Sequence, residues 1–364
     1  MFFTMMSEAG QKSENSYNSS MANCVLPEDV MLCIFTRLPV KTILQFKSVC
    51  KPWRDLFSTP EFRKLHHIQF PSDQKNQSFI VHSYLKNQFS IFNIDSSKKK
   101  PTILDHPFAH TQNIKLAIVG CCNRLVCIYR GLDIVQWNPA MKLFKIVPIK
   151  DSGPYFQMLS FGFGYDAAGA DFKVVKIVCG IGKLNTKRFS GFTCRNDLIV
   201  NGNPHWVARV DGNMGYVCFD VMKLVFKFVP EMERNVDLVD WNGALGFISY
   251  INKNQIVENP DCRVQRFTRC SRVASLCVCV FDDGERVWIK KHSFEPIEEE
   301  NVFRFYHFAK NEKLLGCFRT GKLFVLDLET GSANKLFYDT CDLGSFEVYE
   351  YTESLAFTKG MEKY

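Results

Sequence analysis

The residue patterns that could carry chemistry are few, and each meets an obstacle nearby. Gly162-Phe163-Gly164-Tyr165-Asp166-Ala167 has the G-x-G-x-x-A spacing of a dinucleotide-binding turn. That chemistry needs a helix directly after the glycines, with its N-terminus facing the phosphates. Phe172 to Val178 follows instead and reads as a strand, so the glycines serve a tight turn or bulge between strands. His106 and His110 have the spacing of helical metal ligands, but Pro107 lies between them and no third ligand is near. The fifteen cysteines are odd in number and contain no Cys-x-x-Cys pair. Cys277 and Cys279 share one face of an apolar strand, and Cys121-Cys122 adjoins another. All fifteen are read as small core residues of a reducing compartment, not as disulfides or zinc ligands. Gly-x-Ser-x-Gly, P-loop and His-Glu-x-x-His motifs do not occur, and Glu298-Glu299-Glu300 is a charge run on a loop. No catalytic, cofactor or metal site is expected; this chain works through its surfaces.

The 364 residues are 46% hydrophobic and 23% charged, enough for one large domain or two unequal ones. A formal net charge of +7 lacks the concentrated basic face that nucleic acid requires. No apolar run approaches the roughly 18 residues of a membrane span, and Met1 to Met6 lack the features of a signal peptide. A cytoplasmic or nuclear protein is expected, with neither membrane nor nucleic acid among its partners. Residues 1–22 read as a disordered leader, and Met21 is a second plausible start.

Residues Leu26 to Phe62 organise the chain. Pro27 suits the first turn of a helix, and Glu28 and Asp29 complement its dipole. Pro39 forbids continuation of that helix. A second helix is predicted from about Lys41 to Cys50, and Pro52 opens a third, short one carrying Trp53, Leu56 and Phe57 before Ser58-Thr59-Pro60 stops it. Val30, Met31, Leu32, Ile34, Phe35 and Leu38 cover more than half of the first helix, wider than the single stripe a surface helix buries. The surplus must be covered by the rest of the chain or by a partner.

This pattern resembles an F-box, the helical module that docks a protein onto the small adaptor subunit of a cullin-RING ubiquitin ligase. The matching positions are Leu26-Pro27, Val30, Ile34, Leu38-Pro39, Ile43-Leu44, Phe46, Val49-Cys50, Trp53, Leu56 and Pro60-Glu61-Phe62. The resemblance implies that Leu26, Pro27, Val30, Ile34, Leu38, Pro39, Ile43 and Leu44 face the adaptor. Phe46, Val49, Trp53 and Leu56 would form the core of the module, which is set at residues 23–66, with a linker at 67–78.

From Phe79 to the end, short apolar runs bounded by Gly, Asn, Asp and Pro replace helical periodicity. Trp137-Asn138-Pro139 through Val147-Pro148 resembles Phe219-Asp220-Val221 through Val229-Pro230, and Phe92-Asn93 and Leu326-Asp327 echo the same unit. Each is a strand, a turn held by Asn or Asp, and a second strand. Trp137 and Phe219 lie 82 positions apart, read as two units of about 40, a period that suits propeller blades. Residues 79–364 resemble the plant F-box-associated, kelch-like domain, on Cys122 to Cys127, Val135 to Pro139, Phe161 to Asp166, Asp171 to Lys176, Asn201 to Trp206, Val287-Trp288 and Tyr351 to Leu355.

The fold expected is therefore α+β and multidomain: a three-helix F-box, then an all-β kelch-like β-propeller. Cys179 to Asp197 is too short for the usual strand pair, so one blade is expected to be truncated and the blade count stays open. The resemblance implies a non-catalytic receptor. The F-box would hold the adaptor and, through it, cullin, while the β domain captures an unidentified protein for ubiquitination. An F-box protein outside any ligase, and a propeller enzyme or carbohydrate binder, are the alternatives. Arg263, Arg266, Arg269 and Arg272, spaced every three residues, are candidate substrate-facing cations, with a solvated loop as the plainer reading.

Overall fold

The computed structural model describes residues 26–69, 77–94, 100–109, 111, 116–131, 133–149, 156–166, 171–180, 189–190, 198–210, 213–230, 236–251, 275–294, 302–310, 312–318, 320–339 and 346–364. The leader 1–22 lies outside them.

Four prolines start four helices. α1 (Glu28–Phe35) follows Pro27, α2 (Val40–Phe46) follows Pro39, α3 (Lys51–Leu56) holds Pro52 in its first turn, and α4 (Pro60–Gln69) begins on Pro60. A proline in the first turn sacrifices no hydrogen bond, because the first N–H groups of a helix have no partner within it. The three-helix expectation is corrected to four. Pro60 does end α3, but it also starts α4, which runs into the stretch expected to be a linker. The polar residues of α4 hid it; its buried side is Phe62 and His66, four residues apart.

The β region follows in chain order. β1 (Ser78–Ser83), β2 (Gln88–Asn93) and β3 (Thr102–Leu104) begin the first blade. β4 (Leu116–Cys122), β5 (Leu125–Arg130), β6 (Asp133–Asn138) and β7 (Leu143–Pro148) form the second. β8 (Phe156–Asp166) and β9 (Asp171–Gly180) pair only with each other among the described residues. β10 (Phe189–Ser190), β11 (Leu198–Val200), β12 (Asn203–Val210), β13 (Asn213–Asp220) and β14 (Val225–Pro230) form the third blade. The fourth is β15 (Val236–Trp241), β16 (Ala244–Ile251), β17 (Ser275–Asp282) and β18 (Val287–Phe294). The fifth is β19 (Val302–Lys310), β20 (Lys313–Phe318), β21 (Lys322–Asp327) and β22 (Ala333–Asp339). β23 (Phe346–Tyr351) returns to the first blade, pairing with β1 from Ser78↔Tyr351 to Ser83↔Phe346, and β24 (Glu362–Lys363) adds to β7.

The result is a five-bladed β-propeller closed by its last long strand. β23, β4, β11, β15 and β19 neighbour one another around the centre. Buried carboxylates tie inner strands together where no ladder can. Glu347 Oε2 on β23 accepts from the Ile118 N–H on β4 at 2.8 Å, and Asp237 Oδ2 on β15 accepts from the Phe305 N–H on β19 at 2.7 Å.

The repeated unit is the third-to-fourth strand hairpin. Trp137 pairs with Phe144, Phe219 with Phe226, and Phe281 with Trp288. The next residue is Asn138, Asp220 or Asp282, and in the fifth blade Asp327. Its side chain accepts a backbone N–H three residues on, from Met141, Lys223, Glu285 or Thr330. One residue further, Lys142, Leu224, Arg286 and Gly331 adopt φ of 53°, 56°, 56° and 69°. The spacing of 82 is nevertheless not two blades. The blades of Trp137 and Phe219 are neighbours in the ring, and the β8–β9 hairpin supplies the extra chain between them. Gly162 and Gly164 serve that hairpin from within β8. A Cβ on Gly162 would overlap the Trp206 ring, and one on Gly164 would strike the Gly202 carbonyl and Val221.

Two stability experiments follow from these environments. Arg286→Gly should raise the unfolding free energy by about 0.5–1 kcal/mol, because a side chain at positive φ carries a steric cost that glycine lacks. A lower melting temperature would contradict this. His205 is buried with Nδ1 2.9 Å from the Asn203 carbonyl, and burial pushes its pKa down to about 4. An unfolded histidine titrates near 6.5, so between these values only the unfolded chain binds the proton. Stability contributed above pH 6.5 is therefore lost as pH falls towards 4, by up to about 3 kcal/mol. Urea unfolding across this window should show a shallower pH slope in His205→Gln. Equal slopes would remove His205 from the account.

Candidate docking site

α1 has two apolar sides with different fates. Phe35 points inward, its ring centroid 5.0 Å from Trp53, 5.1 Å from Phe57 and 6.1 Å from Phe46, all edge-on. Met31, Leu32 and Leu38 pack against the same cluster. The opposite side carries Val30 and Ile34, 42% and 44% exposed, and Leu26, 49% exposed, precedes the helix. Exposed Pro27 and Pro39 flank this stripe, and Leu38 and Leu44 are half-buried beside it. Val30 and Ile34 are four apart on α1 and so line one face, and Leu26 lies just before the helix, ahead of its N-cap Pro27.

Two assignments need correction. Ile43, expected on the adaptor face, is fully buried. α2 starts at Val40, and Val40 and Ile43 both turn into the helical core. Val49, expected in the core, is 62% exposed, because α2 stops at Phe46 and Val49 lies in the turn after it. Phe46, Trp53 and Leu56 are half-buried and pack in the cluster. Cys33 is likewise exposed on α1, against the expectation that every cysteine is core. Cys122, Cys127, Cys277 and Cys317 are buried, and burial pushes the Cys122 thiol up to about 12.

Part of the surplus apolar surface is covered from within the chain, by a contact that periodicity does not reveal. After β23, residues 352–358 run beneath the second blade. Asn138 Nδ2 donates to the Ser354 and Ala356 carbonyls at 3.0 and 2.8 Å, and the Ser354 hydroxyl donates to the Arg124 carbonyl at 3.2 Å. This segment presents Leu355, 2% exposed, to Phe35, Val40, Ile43, Phe57 and Phe62, with Ala140 and Met141 beside it. The Arg63 guanidinium lies over Phe357 at 5.0 Å. Burial raises the Glu353 carboxyl, opposed by Lys41 on α2. The motif Tyr351-Thr352-Glu353-Ser354-Leu355 marked this segment in the sequence without disclosing its target.

Above the joint, α4 meets the centre of the propeller. A cavity of about 290 Å³ is lined by His67, Asn123, Arg124, Asp240, Tyr349 and Glu350, among others. His66 Nε2 lies 2.9 Å from the Leu38 carbonyl. Burial lowers the pKa of both His66 and His67, and the Arg124 charge lowers both further. Arg263, Arg266, Arg269 and Arg272 lie outside the described residues. Among the described residues, no group of three or more His, Cys, Asp and Glu side chains could hold a metal, and no helix is long and apolar enough to cross a membrane.

Leu355 can be tested directly. Leu355→Ala should destabilise the helical module by about 2–4 kcal/mol, the usual cost of removing a buried leucine side chain. Limited proteolysis should then cut within 26–69 sooner than in the parent chain, while cleavage of the propeller keeps its rate. Unchanged protection of the helices would show that Leu355 does not hold them.

The F-box domain family matches residues 24–65. An Arabidopsis thaliana F-box protein is 33% identical over 157 residues, covering 42% of this chain and 41% of that protein. An F-box/kelch-repeat protein of the same plant is 26% identical over 243 residues, covering 56% of this chain and 65% of that one. A third, also an Arabidopsis F-box protein, is 23% identical over 344 residues, covering 77% and 78%. The chain thus spans about two fifths of the first relative's length and just under two thirds of the second's. The chain carries an F-box domain at its N-terminal end with a five-bladed propeller behind it, and is similar to plant F-box proteins.

Proposed function

We propose that this protein is the substrate-recognition subunit of an SCF-type cullin-RING ubiquitin ligase. The observation that carries the reading is the uncovered apolar stripe of α1. The chain covers one side of the helical module with Leu355, Ala140 and Met141, yet leaves Leu26, Val30 and Ile34 in water on the other. A row of apolar side chains left in water marks an interaction surface. In this reading Leu26, Pro27, Val30 and Ile34 dock on the adaptor, with Leu38, Pro39 and Leu44 at the margin. Through the adaptor the chain joins cullin, inside the cell. Ile43 supports that face from beneath.

The propeller is the capture domain. The chain is a non-catalytic receptor that raises the effective concentration of a bound protein near the ubiquitin-transferring subunits. The joint built from Leu355 and Asn138 supports this division, because it holds the docking module against the blades that bind the target.

The test is co-expression with a plant cullin-RING adaptor, followed by gel filtration. A 1:1 complex is expected. Pro27→Ala combined with Ile34→Ala should weaken it by several kcal/mol, since a few central anchors dominate such interfaces. The propeller should retain its melting temperature, as both side chains are exposed. A folded chain that forms no complex, or a double variant with undiminished affinity, would refute the assignment.

A further inference from the structure

Cations from four elements meet where the helices join the second blade. Lys47 caps the C-terminal end of α2, and Arg54 on α3 donates from Nε to its carbonyl at 3.2 Å. Arg63 on α4 lies over the Phe357 ring at 5.0 Å. Just after Phe357 the chain turns, with the Met361 N–H donating to the Thr358 carbonyl at 3.1 Å, and enters β24, which carries Lys363. Among the described residues, none of Lys47, Arg54, Arg63 and Lys363 forms an ion pair. Glu61 lies two positions before Arg63, on the other side of α4, and Glu362 points to the opposite face of β24 from Lys363.

This crowding has a cost, and it leaves a donor unused. Burial lowers the pKa of Lys47, and the Arg63 and Lys363 charges lower it further. Like charges brought together repel, more strongly as water is excluded from between them. Arg63 is half-buried, and its Nε is buried with no hydrogen-bond partner. The Phe357 ring occupies one face of the guanidinium. Its N–H groups lie in the plane and need an acceptor at the edge. A buried N–H without one carries a desolvation penalty that an anionic oxygen removes.

We propose that this seam between the F-box and the propeller binds a phosphate group, held by Lys47, Arg63 and Lys363, with Arg54 at its margin. A carboxylate would neutralise one of these charges. A phosphate monoester carries about two, with three acceptor oxygens for donors that arrive from three elements. Once bound, it turns repulsion among α2, α4 and β24 into attraction and so tightens the joint. The assignment is independent of what α1 docks on and of what the propeller captures. The phosphate belongs either to a free polyphosphate or to a phosphorylated side chain of another protein.

The test is isothermal titration calorimetry of the full chain, without adaptor, at constant ionic strength. One probe is inorganic pyrophosphate, and the other is a capped Gly-phosphoserine-Gly tripeptide. Saturable binding is expected, and the tighter of the two probes identifies the source of the phosphate. Arg63→Gln and Lys363→Gln should each weaken binding about tenfold, the usual effect of losing a hydrogen bond to a charged group. Lys363 is exposed, so its variant keeps the fold even where Arg63→Gln does not. Thermal melting gives an independent reading. Without anion, Lys363→Gln should melt above the parent chain, because it removes repulsion; with saturating probe, the order should reverse. A merely structural role would lower the melting temperature of the variant in both conditions and would overturn the proposal. So would no saturable binding of either probe, a response that chloride reproduces at equal ionic strength, or undiminished affinity in Lys363→Gln.

Discussion

The antiparallel pairing of β23 with β1 is the constraint on which the rest of the molecule depends. It joins residues 346–351 to residues 78–83, and so closes the ring of blades across most of the chain length. It also sets two further contacts. It brings Glu347 beside β4, where the carboxylate takes the Ile118 N–H. It delivers residues 352–358 to the underside of the second blade, where Asn138 seizes their carbonyls and Leu355 enters the core of the helices. A propeller with its last strand unpaired would lose one of the two sheet partners of β1 and the plug of the F-box in one event. Ring closure and placement of the docking module are therefore one cooperative unit.

This arrangement resolves the surplus of apolar surface on α1. Four helices of six to ten residues cannot bury a helix that is apolar around more than half its girth. Phe35 and its aromatic neighbours take one side. The Leu355 plug takes the side of the module facing the propeller, and Leu26, Val30 and Ile34 are left over. Exposing three such side chains has a cost in the isolated chain, and a partner surface that covers them recovers it.

What could be read in the sequence is local. Pro27 and Pro52 marked two helix starts because a proline's missing N–H fits the first turn of a helix, whereas Pro39 and Pro60 read only as stops although each also opens the next helix. Asn138, Asp220 and Asp327 marked the repeated hairpin because their side chains bond the backbone within the same turn. What could not be read depends on distant chain. Ile43 and Val49 changed places because Val40 and Ile43, three apart on α2, turn together into the helical core, while α2 stops at Phe46 and leaves Val49 in the turn after it. The two-stranded β8–β9 hairpin made a spacing of 82 look like two blades, since sequence distance does not record which strands share a sheet. Leu355 gave no periodic signal at all; its partners lie some 300 residues away in the chain. Arg263, Arg266, Arg269 and Arg272 form a charge pattern, and a charge pattern alone carries no geometry.

The division of surfaces has a mechanical consequence. The helices contact the propeller through the second blade and the segment that follows ring closure, and His67 of α4 reaches the cavity at the propeller centre. A target held by the propeller and an adaptor held along α1 would thus be connected through packed strands and the Leu355 joint. A long flexible connection would spread the target over many positions and dilute it near the ubiquitin-transferring subunits. A stiff connection confines it to few. Rigidity at the joint is accordingly as much a part of the function proposed here as the two binding surfaces, and it comes from burying one leucine and satisfying two carbonyls with one asparagine.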